Sequence, residues 1–131
     1  MATITATDVG LNEGTTITWI EMDADTEDFD LTAADEKVIL LVKNEHNDQD
    51  LTVVVKAGDF WQEGAGDITA TVESQNDASP ETSEVAAFIF DSARVKDEDE
   101  EVTLEFEDES GDGFGDGGGT IADVYVAVLE L

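Results

Sequence analysis

Residues 102–107 read Val-Thr-Leu-Glu-Phe-Glu and alternate apolar with polar side chains at every position. Successive side chains of a β-strand point to opposite sides, so this period of two is typical of a strand that buries one face and exposes the other. Residues 2–7 alternate alanine and isoleucine with threonine in the same way. The pattern predicts an all-β protein with little or no helix.

Six further stretches are apolar or alternating, and each is bounded by Gly, Asn, Asp or Ser, which favour turns. They are Thr15–Ile20, Lys37–Lys43, Leu51–Lys56, Ile68–Val72, Glu84–Phe90 and Ile121–Glu130. Short strands spaced by roughly 10 to 15 residues, with no helical pattern between them, favour antiparallel pairing. We therefore predict a single antiparallel β-sandwich, jelly-roll-like, of about eight strands over residues 1–131.

The last of these stretches is apolar on both faces, apart from Asp123. A strand of this kind is either central in its sheet or covered by a partner subunit. Asp123 is predicted near the start of the strand, where solvent is close. Two other segments, Met22–Asp35 and Asp108–Gly119, are predicted to be long acidic loops.

The chain carries 34 Asp and Glu against 5 Lys and Arg, a net charge of −29, and still has 40% hydrophobic residues. Disordered acidic tails lack such apolar runs, so the composition indicates a folded protein with an acidic surface. Self-repulsion is screened at molar salt, where the Debye length falls to about 3 Å, which favours adaptation to a hypersaline medium. Nucleic-acid mimicry and cation storage are the alternatives. Nucleic-acid binding is excluded because it needs clustered Lys and Arg.

The sequence contains no cysteine, so disulfides and thiolate metal sites are excluded. The N-terminal residues lack the basic and apolar regions of a signal peptide, and no apolar stretch approaches a membrane span. We expect synthesis in the cytoplasm without a signal peptide, and no membrane partner.

The segment Asp108–Gly119 begins like a calcium-binding loop, with Asp108, Asp112 and Gly113 at suitable spacing. The match ends there, because the position of the bidentate Glu is Gly119. A solvated loop tip is one interpretation. The other is a weak cation site formed by Asp108, Asp112 or Asp116, holding loosely bound Ca²⁺, Mg²⁺, K⁺ or Na⁺.

Catalytic residues are not indicated. The single histidine, His46, lies in a polar turn and has no Ser or Cys partner at a recognisable spacing. Carboxylate pairs occur throughout the chain, so no particular pair can be singled out as catalytic. We expect no catalytic residue, no cofactor and no enzymatic activity.

Four scarce residues are candidates for an interface: Phe60, Trp61, Arg94 and Lys96. The only arginine, Arg94, pairs either with acids of its own chain or with a carboxylate of a neighbouring subunit. Phe60 and Trp61 lie between predicted strands and either cover one end of the sandwich or anchor a partner.

The order of several short motifs resembles a group of small structural proteins encoded among the head genes of tailed bacteriophages. The matching positions are Val42, Lys43, Asn44, Ala57, Gly58, Gly64, Gly66, Asp67, Ser92, Ala93 and Arg94. The chain departs from that group in its acidity and in the acidic, glycine-rich segment Asp108–Gly119. These departures suggest a virus of a hypersaline host, such as a haloarchaeal tailed virus.

The resemblance implies a capsid decoration, or cement, protein on the outer surface of an icosahedral shell. Its partner would be the major capsid protein lattice, and the copies would form a homotrimer at threefold or quasi-threefold positions. Another virion component, such as a tail, neck or turret subunit, is the nearest alternative. A cellular β-sandwich module that binds carbohydrate or calcium, with an aromatic pocket around Trp19 or Trp61, is an alternative of a different class.

Overall fold

The computed structural model describes residues 4, 7–9, 14–24, 26–30, 37–47, 49–58, 66–75, 84–91, 101–108 and 123–130, with the side chains of residues 8, 26–30 and 91 excepted. These residues form nine strands and no helix. The strands are β1 (Thr7–Asp8), β2 (Ile20–Glu21), β3 (Thr26–Asp30), β4 (Lys37–Asn44), β5 (Leu51–Val55), β6 (Ile68–Val72), β7 (Glu84–Asp91), β8 (Glu101–Glu107) and β9 (Val124–Glu130). Within this part of the chain, no helix is long and apolar enough to cross a membrane.

The strands form two sheets. Sheet 1 has the order β1-β9-β4-β7, with β2 also paired to β9, and sheet 2 has the order β3-β8-β5-β6. The antiparallel pairs β2·β9, β3·β8, β4·β7 and β5·β6 are those of one long hairpin. Rolling that hairpin joins β4 to β9 and β5 to β8, which makes a jelly roll. The predicted fold class is confirmed, with one parallel pair, β1·β9, added to the antiparallel sheets.

The core lies between the two sheets and follows directly from the alternating sequence. In β8 the apolar residues Val102, Leu104 and Phe106 are buried and the intervening residues are half-buried. In β4 the same alternation buries Val38, Leu40 and Val42. The remaining core side chains are those of Ile4, Met22, Leu51, Val53, Val55, Val72, Phe88, Phe90, Val124, Val126 and Val128.

Two predictions about strands were wrong. Thr15–Ile20 alternates like a strand, but only Ile20 joins one, and residues 15–18 are exposed. Met22–Asp35 was predicted to be a loop, yet Thr26–Asp30 pairs with β8 over its whole length. A strand needs a partner with free backbone groups, and tertiary position supplies that partner independently of the local pattern.

The prediction for the last strand was correct. β9 lies between β1 and β2 on one side and β4 on the other, so it is central in sheet 1. Asp123 directly precedes β9, is exposed, and has a φ of 65°. Its carbonyl accepts a 2.7 Å hydrogen bond from the Glu45 amide, which joins the start of β9 to the end of β4.

The turn after β4 is held by a buried asparagine. Asn44 Nδ2 donates to the Gln49 carbonyl at 2.9 Å and to the Val72 carbonyl at 3.1 Å, and thus links β4 of sheet 1 to β6 of sheet 2. Asn44 Oδ1 accepts from the His46 amide at 2.9 Å, and His46 Nδ1 accepts from the Gln49 amide at 3.1 Å. His46 therefore has a structural role in a turn, as its sequence context predicts.

Candidate interaction surface

The outer side of sheet 1 carries a continuous row of apolar residues, which we call the apolar face. It consists of Ile39, Leu41, Val85, Ala87, Ile89 and Leu129. Ile39 of β4 lies opposite Ile89 on one side and Leu129 on the other. In the next row Leu41 lies opposite Ala87 and the small, buried Ala127. Cross-strand neighbours have Cβ atoms about 5 Å apart, so these side chains contact one another across three strands.

Two members of the apolar face are unusually exposed. The relative exposure of Ile89 is 68% and that of Val85 is 47%, the two highest values among the exposed large hydrophobic residues of the described chain. Both belong to β7, where inward-facing Phe88 and Phe90 are buried. Scattered exposed apolar residues are ordinary on protein surfaces, but a contiguous patch is typical of an interaction site.

Strand β7 is also an edge of sheet 1. Among the described strands it pairs with β4 only. Natural edge strands are protected from unwanted pairing by charged residues, proline or bulges. Residues 85–90 of β7 read Val-Ala-Ala-Phe-Ile-Phe and contain no such residue. The acids of β7, Glu84 and Asp91, lie only at its two ends, so the middle of this edge is apolar.

A lysine between two aromatic rings lies at one end of the apolar face. Lys43 Nζ is 4.7 Å from the ring centroid of Trp19 and 5.0 Å from that of Tyr125. The same ammonium lies 3.1 Å from Glu45 Oε1. Partial burial raises the pKa of Tyr125 above its ordinary value, and the negative charges of nearby carboxylates raise it further.

Trp19 was a candidate for the aromatic pocket of a carbohydrate-binding module. Such a module would offer an aromatic ring as a platform for a sugar. In this structure one side of Trp19 and one side of Tyr125 are occupied by the ammonium of Lys43. The arrangement stabilises the lysine by cation–π attraction and closes the space between the rings.

The outer side of sheet 2 has the opposite character, and we call it the acidic face. The outward residues of β8 are Glu101, Thr103, Glu105 and Glu107. Register places Glu107 opposite Thr52, and Thr52 opposite the exposed Thr71 of β6. Val54 is the apolar exception on this side and is buried, with 8% exposure.

A lysine cluster also occurs near the acidic face, but it is purely electrostatic. Lys56 Nζ lies 3.1 Å from Asp67 Oδ2 and 3.9 Å from Glu105 Oε1. The Ala57 amide donates a 2.7 Å hydrogen bond to Asp67 Oδ1. That hydrogen bond, followed by the one from Lys56, holds the pKa of Asp67 below its ordinary value. The hydrogen bond to Asp67 and the nearby carboxylates raise the pKa of Lys56.

Most of the site residues predicted from sequence lie outside the described residues: Phe60, Trp61, Arg94, Lys96, Asp112 and Asp116. Asp108 is described and follows β8, where it is half-buried. Among the described residues, no group of three or more His, Asp or Glu could hold a metal ion. The proposed cation site and the four interface candidates therefore remain predictions.

The apolar face was not among the predicted sites. Its sequence signal is the run Val38–Val42, which is apolar at every position, together with the apolar stretch Val85–Phe90. A strand covered on one side only would alternate, as β8 does.

Comparison with known proteins assigns no family or function to the chain, because no protein family, curated protein or solved structure matches it.

Proposed function

We propose that this protein is a virion structural protein that decorates the outer surface of an icosahedral shell, in a tailed virus of a hypersaline host. The apolar face binds the major capsid protein lattice, and the acidic face points outward into the brine. The observation that carries the proposal is the difference between the two outer faces of one sandwich. The jelly-roll fold by itself is neutral, because it also occurs in lectins and cupins.

The charge distribution supports this orientation. Outward positions 39, 41, 85, 87, 89, 127 and 129 of sheet 1 carry no acid, whereas three of the four outward residues of β8 are glutamates. Burying a carboxylate in an interface costs several kcal/mol unless it is paired. The part of sheet 1 around Ile39 and Leu41, which has no carboxylate, can therefore be covered at low cost, and a face rich in carboxylates stays hydrated.

Decoration has a mechanical purpose. A shell filled with packaged genome is under outward load, and a subunit that bridges neighbouring capsid proteins adds contacts that must break before the shell opens. The resemblance to phage head proteins further implies that three copies assemble at threefold or quasi-threefold positions. In this role the protein is not an enzyme, needs no cofactor and contacts neither nucleic acid nor membrane.

The apolar face of one copy is smaller than a standard protein interface. Three strands about 4.8 Å apart and about five residues long cover roughly 240 Å². A standard protein interface buries about 800 Å² on each partner. The apolar face is therefore the centre of a larger contact, or acts together with the faces of other copies, whose linked binding raises the affinity.

The first experiment measures the copy number of the chain in gradient-purified virus particles, kept in molar salt, by quantitative mass spectrometry against the major capsid protein. Near one copy per capsid subunit is the result expected of a decoration protein. A few to a few dozen copies would reassign the chain to a portal, neck or tail, and absence from the particle would overturn the proposal.

A pair of variants then tests the orientation. Ile39→Glu places a carboxylate in the middle of the apolar face, and Thr71→Glu adds the same charge on the exposed side of β6 in sheet 2. We expect Ile39→Glu to weaken rebinding to particles stripped of the protein by about 100-fold or more, because the buried charge costs several kcal/mol. Equal binding by the two variants would contradict the proposed orientation.

A further inference from the structure

The open edge of β7 needs a partner of its own. Its outward side chains Val85 and Ile89 are the most exposed large apolar residues of the described chain, and its backbone is paired on one side only within that part. An edge strand offers unpaired amide and carbonyl groups to any extended chain that approaches it. A partner of this edge must be an extended chain whose side chains match those of β7.

We propose that the partner is β7 of a second copy, paired antiparallel about a twofold axis that passes through Ala87. This pairing joins two five-stranded sheets into one continuous sheet. It goes beyond the proposed function, since it concerns contacts between copies of the chain and holds with or without a shell.

The sequence of β7 is self-complementary in this register. Ala87 lies opposite Ala87 of the second copy, and Val85 lies opposite Ile89 of the second copy, twice, on the outer face. On the inner face Ala86 lies opposite Phe88 of the second copy. Paired residues of antiparallel strands share a face, so only registers shifted by an even number of residues keep the apolar side chains together.

The neighbouring registers are less favourable. A shift by two residues in one direction places Asp91 opposite Val85, and a shift in the other direction leaves Ile89 opposite Ser83. In the register centred on Ala87, the acid Glu84 lies opposite Phe90 of the second copy, so no two acids are directly opposed. Like charges directly opposite would destabilise the pair. The strand thus favours one register over the nearest alternatives.

Area and charge set the conditions. Side-by-side pairing merges two apolar faces of roughly 240 Å² into one of about 500 Å², so the dimer offers a third molecule a larger apolar surface than one copy does. Each copy carries a net charge of −29, so repulsion opposes the approach in dilute buffer. At molar salt the Debye length is about 3 Å and this repulsion is largely screened. The dimer therefore forms in brine and dissociates when the salt is removed.

A twofold contact at β7 is compatible with a threefold contact elsewhere on the chain. Trimers on an icosahedral surface are related to their neighbours by twofold axes, so β7 would join one trimer to the next. In solution this predicts a dimer, or larger assemblies of trimers linked through β7 where the threefold contact also forms.

Cysteine cross-linking tests the axis directly, because the chain contains no cysteine. In the proposed pair the two Cα atoms at position 87 are about 4.5–5.5 Å apart, within the range of 4.4–6.8 Å that a disulfide spans. We expect Ala87→Cys, oxidised in molar salt, to form covalent dimers at least tenfold faster than Thr71→Cys. The latter is the matched control, since it is exposed on β6, the edge of sheet 2.

A mixture of variants tests the register. Val85→Cys and Ile89→Cys should each cross-link slowly alone and rapidly when mixed, because position 85 faces position 89 of the second copy. Rapid cross-linking of either variant alone would overturn this register. Cross-linking of Ala87→Cys no faster than the control would overturn the contact itself.

Sedimentation of the unmodified chain in molar salt gives an independent result. We expect a dimer, or linked trimers, that Ile89→Glu converts to monomers or single trimers. Thr69→Glu, which adds the same charge to β6, should leave the assembly unchanged. A monomer or a trimer in the unmodified chain would overturn the inference. Particle copy number is a separate measurement, so the dimer can fail while decoration stands, and decoration can fail while the dimer stands.

Discussion

The two outer faces of the sandwich are made by the same kind of strand over the same core, yet they have opposite surfaces. On sheet 1, β4 exposes isoleucine and leucine beside the apolar outward side of β7. On sheet 2, β8 exposes glutamates at three of its four outward positions. Both strands bury three large apolar residues inward. The inward side of a strand is therefore set by the fold, whereas the outward side reports what the surface contacts.

The difference shows that the acids are not spread evenly over the described strands. A protein adapted only to salt would gain by placing acids on every exposed strand position. This chain keeps the outward positions around Ile39 and Leu41 free of acids and leaves Ile89 68% exposed. Under the proposed function, adaptation to salt accounts for the acidic face and a contact accounts for the apolar face.

The largest expected effect separates the inward and outward sides of one strand. Leu40 and Leu41 are neighbours on β4, but Leu40 is fully buried in the core and Leu41 is half-buried on the apolar face. We expect Leu40→Ala to lower the free energy of unfolding by about 3 kcal/mol, through lost burial and the cavity that remains. Leu41→Ala should cost less than about 1 kcal/mol, because it removes only part of a buried surface.

Urea unfolding in molar salt measures both values, since guanidinium chloride would change the ionic strength. The Leu41→Ala variant should then lose binding to particles while it retains its fold. Equal losses of stability in the two variants would show that β4 is covered on both sides within a single copy, and the apolar face would lose its meaning as a contact surface.

A smaller effect is expected from adding a positive charge to the acidic face. Thr52 lies opposite Glu107 on the acidic face. Thr52→Lys should raise the free energy of unfolding by about 0.5–1 kcal/mol near 0.1 M salt, because it adds an opposite charge beside a glutamate. The gain should vanish at molar salt, where the pair is screened. Thr52→Gln is the control of similar length. A gain that persists unchanged in molar salt would have to come from packing.

The smallest effect concerns the Lys56–Asp67 pair, where both side chains are more than one third exposed. Asp67→Asn removes the charge and keeps an acceptor for the Ala57 amide. We expect a cost of about 0.5 kcal/mol at pH 7, typical of a solvent-screened ion pair. Because the folded pKa of Asp67 is lowered, its contribution is complete above its unfolded pKa of about 4 and is lost as pH falls through the folded value.

The raised pKa of Lys56 limits the stabilisation by this pair at high pH. The contribution of Lys56 is complete below the ordinary lysine pKa of about 10.4 and is lost as pH rises through the folded value.

The matched control for Asp67→Asn is Asp123→Asn, since it neutralises an exposed acid at a φ of 65°, a conformation that asparagine tolerates. Thermal unfolding across pH should show the two variants differing near neutrality and converging in acid.

Much of the fold could be predicted from particular residues. The alternation in β8 and the apolar stretches of β4, β5, β7 and β9 predict their strands. The doubly apolar composition of β9 predicts a strand that is either central or covered by a partner, and the structure shows that it is central. β3 was missed because Thr-Glu-Asp-Phe-Asp has little β propensity and no clear alternation. Residues 15–19 alternate but form no strand, because the pairing of β2 with β9 begins only at Ile20.

The candidate surface was less predictable. Sequence drew attention to rare residues such as Arg94 and Trp61, which lie outside the described residues. The apolar outward side of β7 is visible in the sequence only as an apolar strand, which reads the same whether the strand is central or at an edge. Sheet order decides between the two, and sheet order depends on pairings between residues far apart in the chain.

The sequence by itself determined the all-β class, the acidic surface, most of the strands and the residues of the core, because these depend on composition and on a period of two. Only the tertiary structure decided that β7 is an edge while the equally apolar β9 is central. It also decided that the acid-free positions of β4, β7 and β9 lie side by side. The physical reason is that alternation is a local property of the chain, whereas a surface is made by strands that the rolled hairpin brings together.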